Sequence, residues 1–295
     1  MGGPGRLRPG RQPRPVIGNR AHAISTHALS FIDLHAHILP GLDDGPKDMA
    51  ESVAMARAAA ADGTSVIVAT PHQRDVMLDS SVKKVRELVD ELNAALAQDT
   101  TAGVAVPRIL AGMENHVEPD LPDWVGQGKA LTINGTRYIL AEPPVTGLPD
   151  YVEAVLTRLL AKGLVPVIAH PERNVIFQRD PDRLARWLRA GMLCQVTAGA
   201  LLGAQGPEAK KAAETFLRRG FVHVIASDMH AAGGTRSPAM RAAFERAEQA
   251  VGEGRARDLF EATPAQLLDD CPAEGFRPRA GLTRRSLLSW RPPWR

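Results

Sequence analysis

From Phe31 to about residue 270, short apolar runs alternate with segments whose apolar residues recur at helical spacing. Seven runs read as strands: FIDLHAHIL, TSVIVAT, VPRILAG, TRYILAE, LVPVIAH, MLCQVTA and FVHVIAS. Met49, Val53, Ala56 and Ala60 mark a first amphipathic helix ended by Gly63, and Val82, Val85, Leu88, Val89, Leu92 and Leu96 mark a second. Asp150 is expected to cap a third helix, with Glu153 completing a capping-box-like pair and Val152, Val155, Leu156 and Leu159 facing inward. DRLARWLRAG and PEAKKAAETFLRRG read as further helices, and Ser237-Pro238 and Thr263-Pro264 open two more. Alternation of this kind implies a mainly parallel sheet with helices outside it. The number of units predicts a single α/β domain, a closed or nearly closed (β/α) barrel; an open doubly wound sheet is the alternative. No internal repeat and no Gly-rich phosphate loop occurs.

A chain of 295 residues suits one barrel domain. Residues 1–30 and 271–295 are rich in Arg and Pro without hydrophobic periodicity, and read as disordered basic extensions around a 31–270 domain. The net charge is only +3, and much of the Arg excess lies in those ends, so charge gives nucleic-acid binding little support. Two cysteines, Cys194 and Cys271, exclude a disulfide framework and fit a reducing compartment. No apolar run is long enough to span a bilayer, and the first 30 residues lack the apolar core of a secretory signal. The expectation is a cytoplasmic protein without a transmembrane segment; a homo-oligomer is compatible with it.

Nearly every strand ends in a potential metal ligand. The ends carry His35 and His37, His72, Glu114, Glu142, His170, and Asp228 with His230; Asp43 and Asp44 follow the first strand in PGLDDG. In a β/α barrel the C-terminal strand ends surround one mouth, so ligands far apart in sequence would converge. Residues two apart on a strand share a face, which puts His35 and His37 together with Asp33 behind them and repeats for Asp228 and His230. His223 has the opposite parity from Asp228 and is excluded; His22, His27 and His116 are read as non-ligands. A lone strand-end histidine is more often packed or solvated than metal-bound. Six strand ends carrying N or O ligands are hard to explain that way, because buried carboxylates need a partner. Mixed His and carboxylate ligands suit manganese, iron or zinc better than magnesium or calcium. They are too many for one ion, and two or three ions about 3.5–4 Å apart form the usual hydrolytic arrangement. Arg74, Arg173 and Arg236 each follow a ligand-bearing strand and offer bidentate donors to phosphate.

DLHAHILPGLDDGPKDMAESVAMARAAAADGTSVIVATPH, GMEN, YILAEPP, PVIAHPERN and HVIASDMH…R, in this order and spacing, resemble the polymerase-and-histidinol-phosphatase (PHP) superfamily. They look most like its bacterial protein-tyrosine phosphatase branch, linked to capsular and exopolysaccharide synthesis. The resemblance implies a distorted TIM-like barrel of the PHP type. It implies metal ligands at His35, His37, Asp44, His72, Glu114, Glu142, His170, Asp228 and His230, with Glu142 bridging. Arg173 and Arg236 match phosphate-binding positions, and Arg74 a basic residue in a rim loop. The implied enzyme is manganese-dependent, with iron, zinc or cobalt as substitutes, and attacks phosphotyrosine with a metal-bridging hydroxide. Its implied substrate is the tyrosine-rich tail of a bacterial tyrosine kinase. The chain departs from the pattern at Gln73 and in DVMLDSS (75–81), which leaves the particular substrate open.

Two other functions stay open: a hydrolase of a small phosphomonoester such as histidinol phosphate or of a nucleic-acid end, and a non-catalytic metal-binding regulatory subunit. Cys271 and Arg277 show the C-x5-R spacing of cysteine-dependent phosphatases. Pro272 lacks the amide such a phosphate cradle needs, and Glu274 would repel phosphate, so this match is coincidental.

Overall fold

The computed structural model describes residues 29–79, 81–98 and 105–276. Its strands are β1 (Phe31–Ala36), β2 (Thr64–Ala69), β3 (Arg108–Ala111), β4 (Asn115–His116), β5 (Tyr138–Glu142), β6 (Val165–Ile168), β7 (Leu193–Thr197) and β8 (Val224–Ala226). Every pairing is parallel, in the orders β1-β2-β3 and β4-β5-β6-β7-β8. β3 and β4 are two pieces of one stave: the first pairs with β2, the second with β5, and a His72–Glu114 bridge spans the break. Gly112 stands at this break because a Cβ there would lie 2.6 Å from Val68 Cγ1. The ring closes between β8 and β1, where Asp228 N–H donates to His35 O at 2.8 Å and His37 N–H to Met229 O at 2.9 Å. The seven expected strands therefore form a closed, distorted parallel barrel.

Helices cover the outside: α1 (Met49–Ala61), α2 (Gln73–Asp79), α3 (Val82–Gln98), α4 (Leu121–Gly126), α5 (Asp150–Ala161), α6 (Val175–Arg179), α7 (Pro181–Arg189), α8 (Ala198–Leu202), α9 (Pro207–Arg218), α10 (Met240–Val251), α11 (Glu253–Arg257) and α12 (Thr263–Leu268). Interior and exterior separate by strand parity. Val66 and Val68, Leu110, Tyr138 and Leu140, Val165 and Val167, Leu193, and Val224 and Ala226 fill the barrel. Ile67, Ile109, Ile139, Ile168, Val196 and Ile225 pack under the helices. Leu267 closes the barrel interior together with the partly buried Leu268 and Phe276.

Several local expectations change. α1 buries Ser52, Met55, Ala56 and Ala59, a face rotated from the Met49–Val53 line; Met49 and Val53 only flank the core. Asp150 is inside α5 and makes no capping bond; Pro149 precedes the helix, so the capping-box pair does not form. α10 starts at Met240, after Ser237-Pro238, and its first amides donate to the distant Asp62 carboxylate instead. Residues assigned to the two extensions also join the domain. Ser30 N–H donates to Glu261 at 3.0 Å, Tyr138 Oη donates to the Cys271 carbonyl, and Phe276 lies edge-on to Tyr138. Residues 1–28 and 277–295, including His22, His27 and Arg277, lie outside the described residues.

His223 sits on the exterior parity beneath the helices, where its Nδ1 accepts from Cys194 N–H at 3.2 Å. Burial, and then the Arg255 charge, push its pKa down to about 4. The neutral ring is thus favoured in the fold, while the unfolded chain takes a proton near pH 6.5. Its contribution is fully present above about pH 6.5 and is lost as pH falls towards 4. In denaturant titrations of metal-free protein, His223→Gln should therefore lose stability less steeply than the parent between those values. Equal slopes would contradict this.

Candidate metal centre

The mouth at the C-terminal strand ends is where the polar residues meet. Simple alternation would not put His35 there, because Ile32 and Leu34 face the barrel interior. The β1–β2 register shifts between Asp33 and Ala36, and Ala36 packs on the outside. This irregularity turns His35 and His37 inward, a common use of strand bulges beside active sites. Asp33 lies behind them and braces the bulge: it accepts from His35 N–H at 3.3 Å, from Ser227 N–H at 3.0 Å and from Ser227 Oγ. Burial raises Asp33 to about 6. His170 and Asp228 are likewise turned by backbone: their φ values are +31° and +53°, a region costly for non-glycine residues.

Four groups of side chains place one ligand atom each within 4.8 Å of the others: His37, Asp44, His72 and His230; His35, His37 and Asp228; His35, Glu114 and His170; His72, Glu114 and Glu142. All nine expected ligand residues fall in these groups. His223 does not, nor does His116, although its Nε2 lies 3.0 Å from Glu142 Oε2. Glu114 belongs to two groups and Glu142 to one. The Glu114 carboxylate reaches His35 Nε2 and His37 Nε2 at 3.4 Å, His72 Nδ1 at 2.8 Å and His170 Nε2 at 2.7 Å. Glu114 thus makes the most contacts in the mouth, and Glu142, to which the family resemblance gives the bridging place, stands beside it in the group with His72. The break between β3 and β4 carries Glu114 across the mouth, while Glu142 stays at the end of its strand.

The tautomers decide what this mouth can hold. Gln195 Oε1 accepts from His170 N–H at 3.4 Å, so it faces His35 as an acceptor, and His35 Nδ1–H donates to it at 3.1 Å. His37 Nδ1–H donates to Asp43 Oδ2 at 2.7 Å, and His230 Nδ1–H to the Asp228 carbonyl at 2.9 Å. Each neutral ring is left with a bare Nε2 lone pair. Those lone pairs face other acceptors: His35 Nε2 and His37 Nε2 are 3.2 Å apart, each 3.5 Å from Asp228 Oδ1, and His230 Nε2 is 3.1 Å from Asp44 Oδ1. Glu114 Oε2, Glu142 Oε2 and His230 Nε2 are buried without a hydrogen bond. Acceptors converging in this way fit divalent cations, and imidazoles held through Nδ1 are the usual outer support of such ligands.

The electrostatics match. Burial disfavours charge on Glu114 and Asp228, but the surrounding histidines, and Arg173 for Asp228, hold both carboxyls well below the ordinary range. Burial also disfavours protonated His37, yet hydrogen bonds to Asp228, Asp43 and Glu114 raise its pKa well above the ordinary imidazole value, so without a cation a proton is held at the Nε2 position that a metal would take. Asp43 is pulled down to about 2: burial opposes this, but His37 and the Gly45 and His72 amides outweigh it.

Arg173 Nη2 donates to Asp228 Oδ2, and its Nε is buried without a partner. Arg236 Nη1 donates to Asp44 Oδ2 at 2.9 Å. Arg74 stands apart, its Nε donating to Glu118 at 2.7 Å. Sequence reasoning missed Gln195 and Glu172, both fully buried. Glu172 accepts from Thr197 N–H at 2.8 Å, tying the turn that bears Arg173 to β7. A Gln amid the apolar run MLCQVTA was the available signal for the first. Glu172 carried none that separates it from a surface loop residue.

A family model described as Capsular polysaccharide synthesis, CpsB/CapC, matches residues 31–269. Tyrosine-protein phosphatase YwqE of Bacillus subtilis (strain 168) is 36% identical over 201 residues, 68% of this chain and 77% of that protein. Tyrosine-protein phosphatase CpsB of Streptococcus pneumoniae is 30% identical over 246 residues, 81% of this chain and 99% of that protein. A crystal structure from work on those two proteins, described as unique metal-dependent tyrosine phosphatases, superposes with a TM-score of 0.77 at 33% identity, covering 82% of this chain and 95% of the other. The lactonase Lmo2620 from Listeria monocytogenes shares the fold alone, with a TM-score of 0.52 at 15% identity over 82% of this chain and 95% of that one. With its barrel, its mouth and this match over nearly all the described residues, the chain belongs to the CpsB/CapC family of capsular polysaccharide synthesis proteins.

Proposed function

We propose that this chain is a manganese-dependent protein-tyrosine phosphatase acting in capsular or exopolysaccharide synthesis. The observation that carries the reading is the set of bare histidine Nε2 atoms converging on buried carboxylates. His35, His37, Asp44, His72, Glu114, Glu142, His170, Asp228 and His230 would hold two or three divalent ions, with Glu114 shared between them. Bound ions would supply Lewis-acid charge to the phosphoryl oxygens and a water acidified to near neutrality, so no protein nucleophile is required.

The chain's own residues position the ester. Arg173 and Arg236 each spend one N–H on a ligand carboxylate and keep the rest of the guanidinium for phosphate. Gln195 and Asp43 fix the ring orientation of His35 and His37. The proposed substrate is phosphotyrosine in the tyrosine-rich tail of a bacterial tyrosine kinase, met in the cytoplasm. No described helix is long and apolar enough to cross a membrane.

Chelator-treated protein should lose turnover of an aryl phosphate and regain it with manganese. Turnover of a phosphotyrosyl peptide should exceed that of histidinol phosphate and of a 5′-phosphorylated oligonucleotide. Activity that survives complete metal removal would contradict the proposal.

A further inference from the structure

A cleft opens beside the ligand cluster and has a different character. Glu142 and His116 contribute its polar lining, together with Arg74, Pro144, Val145 and Tyr151. Five large hydrophobic side chains are exposed among the described residues, and four lie on the two segments that frame this cleft. Met77 (40%) and Leu78 (80%) lie on α2 with Arg74, and Val145 (44%) and Tyr151 (38%) follow β5. Apolar side chains gathered at the rim of a polar site mark a surface that is covered when the site is in use.

The wall is built in advance. Asn174 Nδ2 donates to the carbonyls of Pro144 at 2.6 Å and Gly147 at 3.0 Å, while its Oδ1 accepts from Ile176 N–H at 2.8 Å. Two successive prolines, Pro143 and Pro144, fix the backbone further. A wall held this way loses little entropy on binding. Asn174 directly follows Arg173, whose guanidinium pairs with Asp228, so the wall and that guanidinium are parts of one braced turn. A Tyr ring, a guanidinium and aliphatic side chains are the surfaces an aromatic ring packs against.

We propose that this cleft is an aryl subsite: it takes the aromatic ring of a phosphorylated tyrosine whose phosphate lies over the ligand cluster, and it makes the protein prefer aryl to alkyl phosphate esters. This rests on the phosphatase reading and adds the source of its selectivity. An alkyl phosphate, as on serine or threonine, leaves the cleft empty and forgoes that contact.

The test uses two non-hydrolysable probes, phenylphosphonate and methylphosphonate, titrated calorimetrically into manganese-loaded full-length protein. The parent should bind phenylphosphonate about tenfold more tightly. Tyr151→Ala and Val145→Ser, both at exposed positions, should each shrink that ratio several-fold while leaving methylphosphonate affinity unchanged. No aryl preference in the parent, or a preference intact in both variants, overturns the subsite. Turnover of a phosphotyrosyl peptide by the same preparation judges the phosphatase reading separately. Aryl preference without turnover keeps the subsite and rejects that reading; turnover without preference does the reverse.

Discussion

Glu114→Gln is expected to cost about a thousandfold or more in kcat/KM and to lower manganese content in the same protein. The substitution keeps the side chain's size but removes the charge. In the structure that carboxylate lies against His35, His37, His72 and His170 and is shared by two of the four ligand groups. Losing it would weaken both of those groups at once. A metal supplies several kcal/mol of transition-state stabilisation, and about 1.4 kcal/mol is tenfold in rate, which sets the expected scale. Steady-state kinetics with elemental analysis checks this, and the thermal midpoint of metal-free protein checks that the fold is intact. Activity within tenfold of the parent at full metal content would remove Glu114 from the centre of the site. Glu142→Gln, which touches one group, should lose less.

The second large effect is at Arg173. Arg173→Met should lower kcat/KM about 10²–10³-fold, the usual cost of removing one donor aimed at developing charge. Two losses would combine: the proposed donor to phosphate, and the cationic partner of the buried Asp228 carboxylate. Arg173→Lys should recover only part, because an ammonium is a point charge and cannot serve Asp228 and a phosphate oxygen with a planar fork. Comparing both variants on an aryl phosphate, with metal content measured, separates the losses. If metal binding is kept and rate falls, phosphate positioning dominates. A fall of less than threefold in both would contradict the assignment.

The fold was legible because parity and periodicity are physical. The seven apolar runs and the helices between them follow from which faces must be buried. The closure of β8 on β1 was legible only as a consequence of unit number. Element ends were less accessible. The cap of α10 comes from Asp62, about 180 residues away, and local sequence at Ser237-Pro238 cannot show it. The Asp150–Glu153 pair had the right residues for a capping box, but the helix starts at Asp150 itself.

The site shows the same division. The strand-end histidines and carboxylates could be read one by one, since a barrel brings strand ends together. What turns them towards each other could not. The bulge in β1 reverses the face of His35 and His37, and positive φ values re-aim His170 and Asp228. The rank of Glu114 over Glu142 depends on the break at Gly112, a packing constraint from Val68 on the neighbouring strand. Gln195 matters only through its distance to His35. Such facts belong to tertiary contacts, beyond any local spacing.

The central claim is that the converging Nε2 atoms at the barrel mouth are metal ligands. Diffraction from manganese-soaked crystals, measured at the manganese absorption edge, tests it most directly. The expected result is two or three anomalous peaks within the mouth, bounded by His35, His37, His72, His170 and His230, with one lying against both Glu114 and a histidine Nε2. An empty mouth at saturating manganese, with those nitrogens hydrogen-bonded to water, would contradict it.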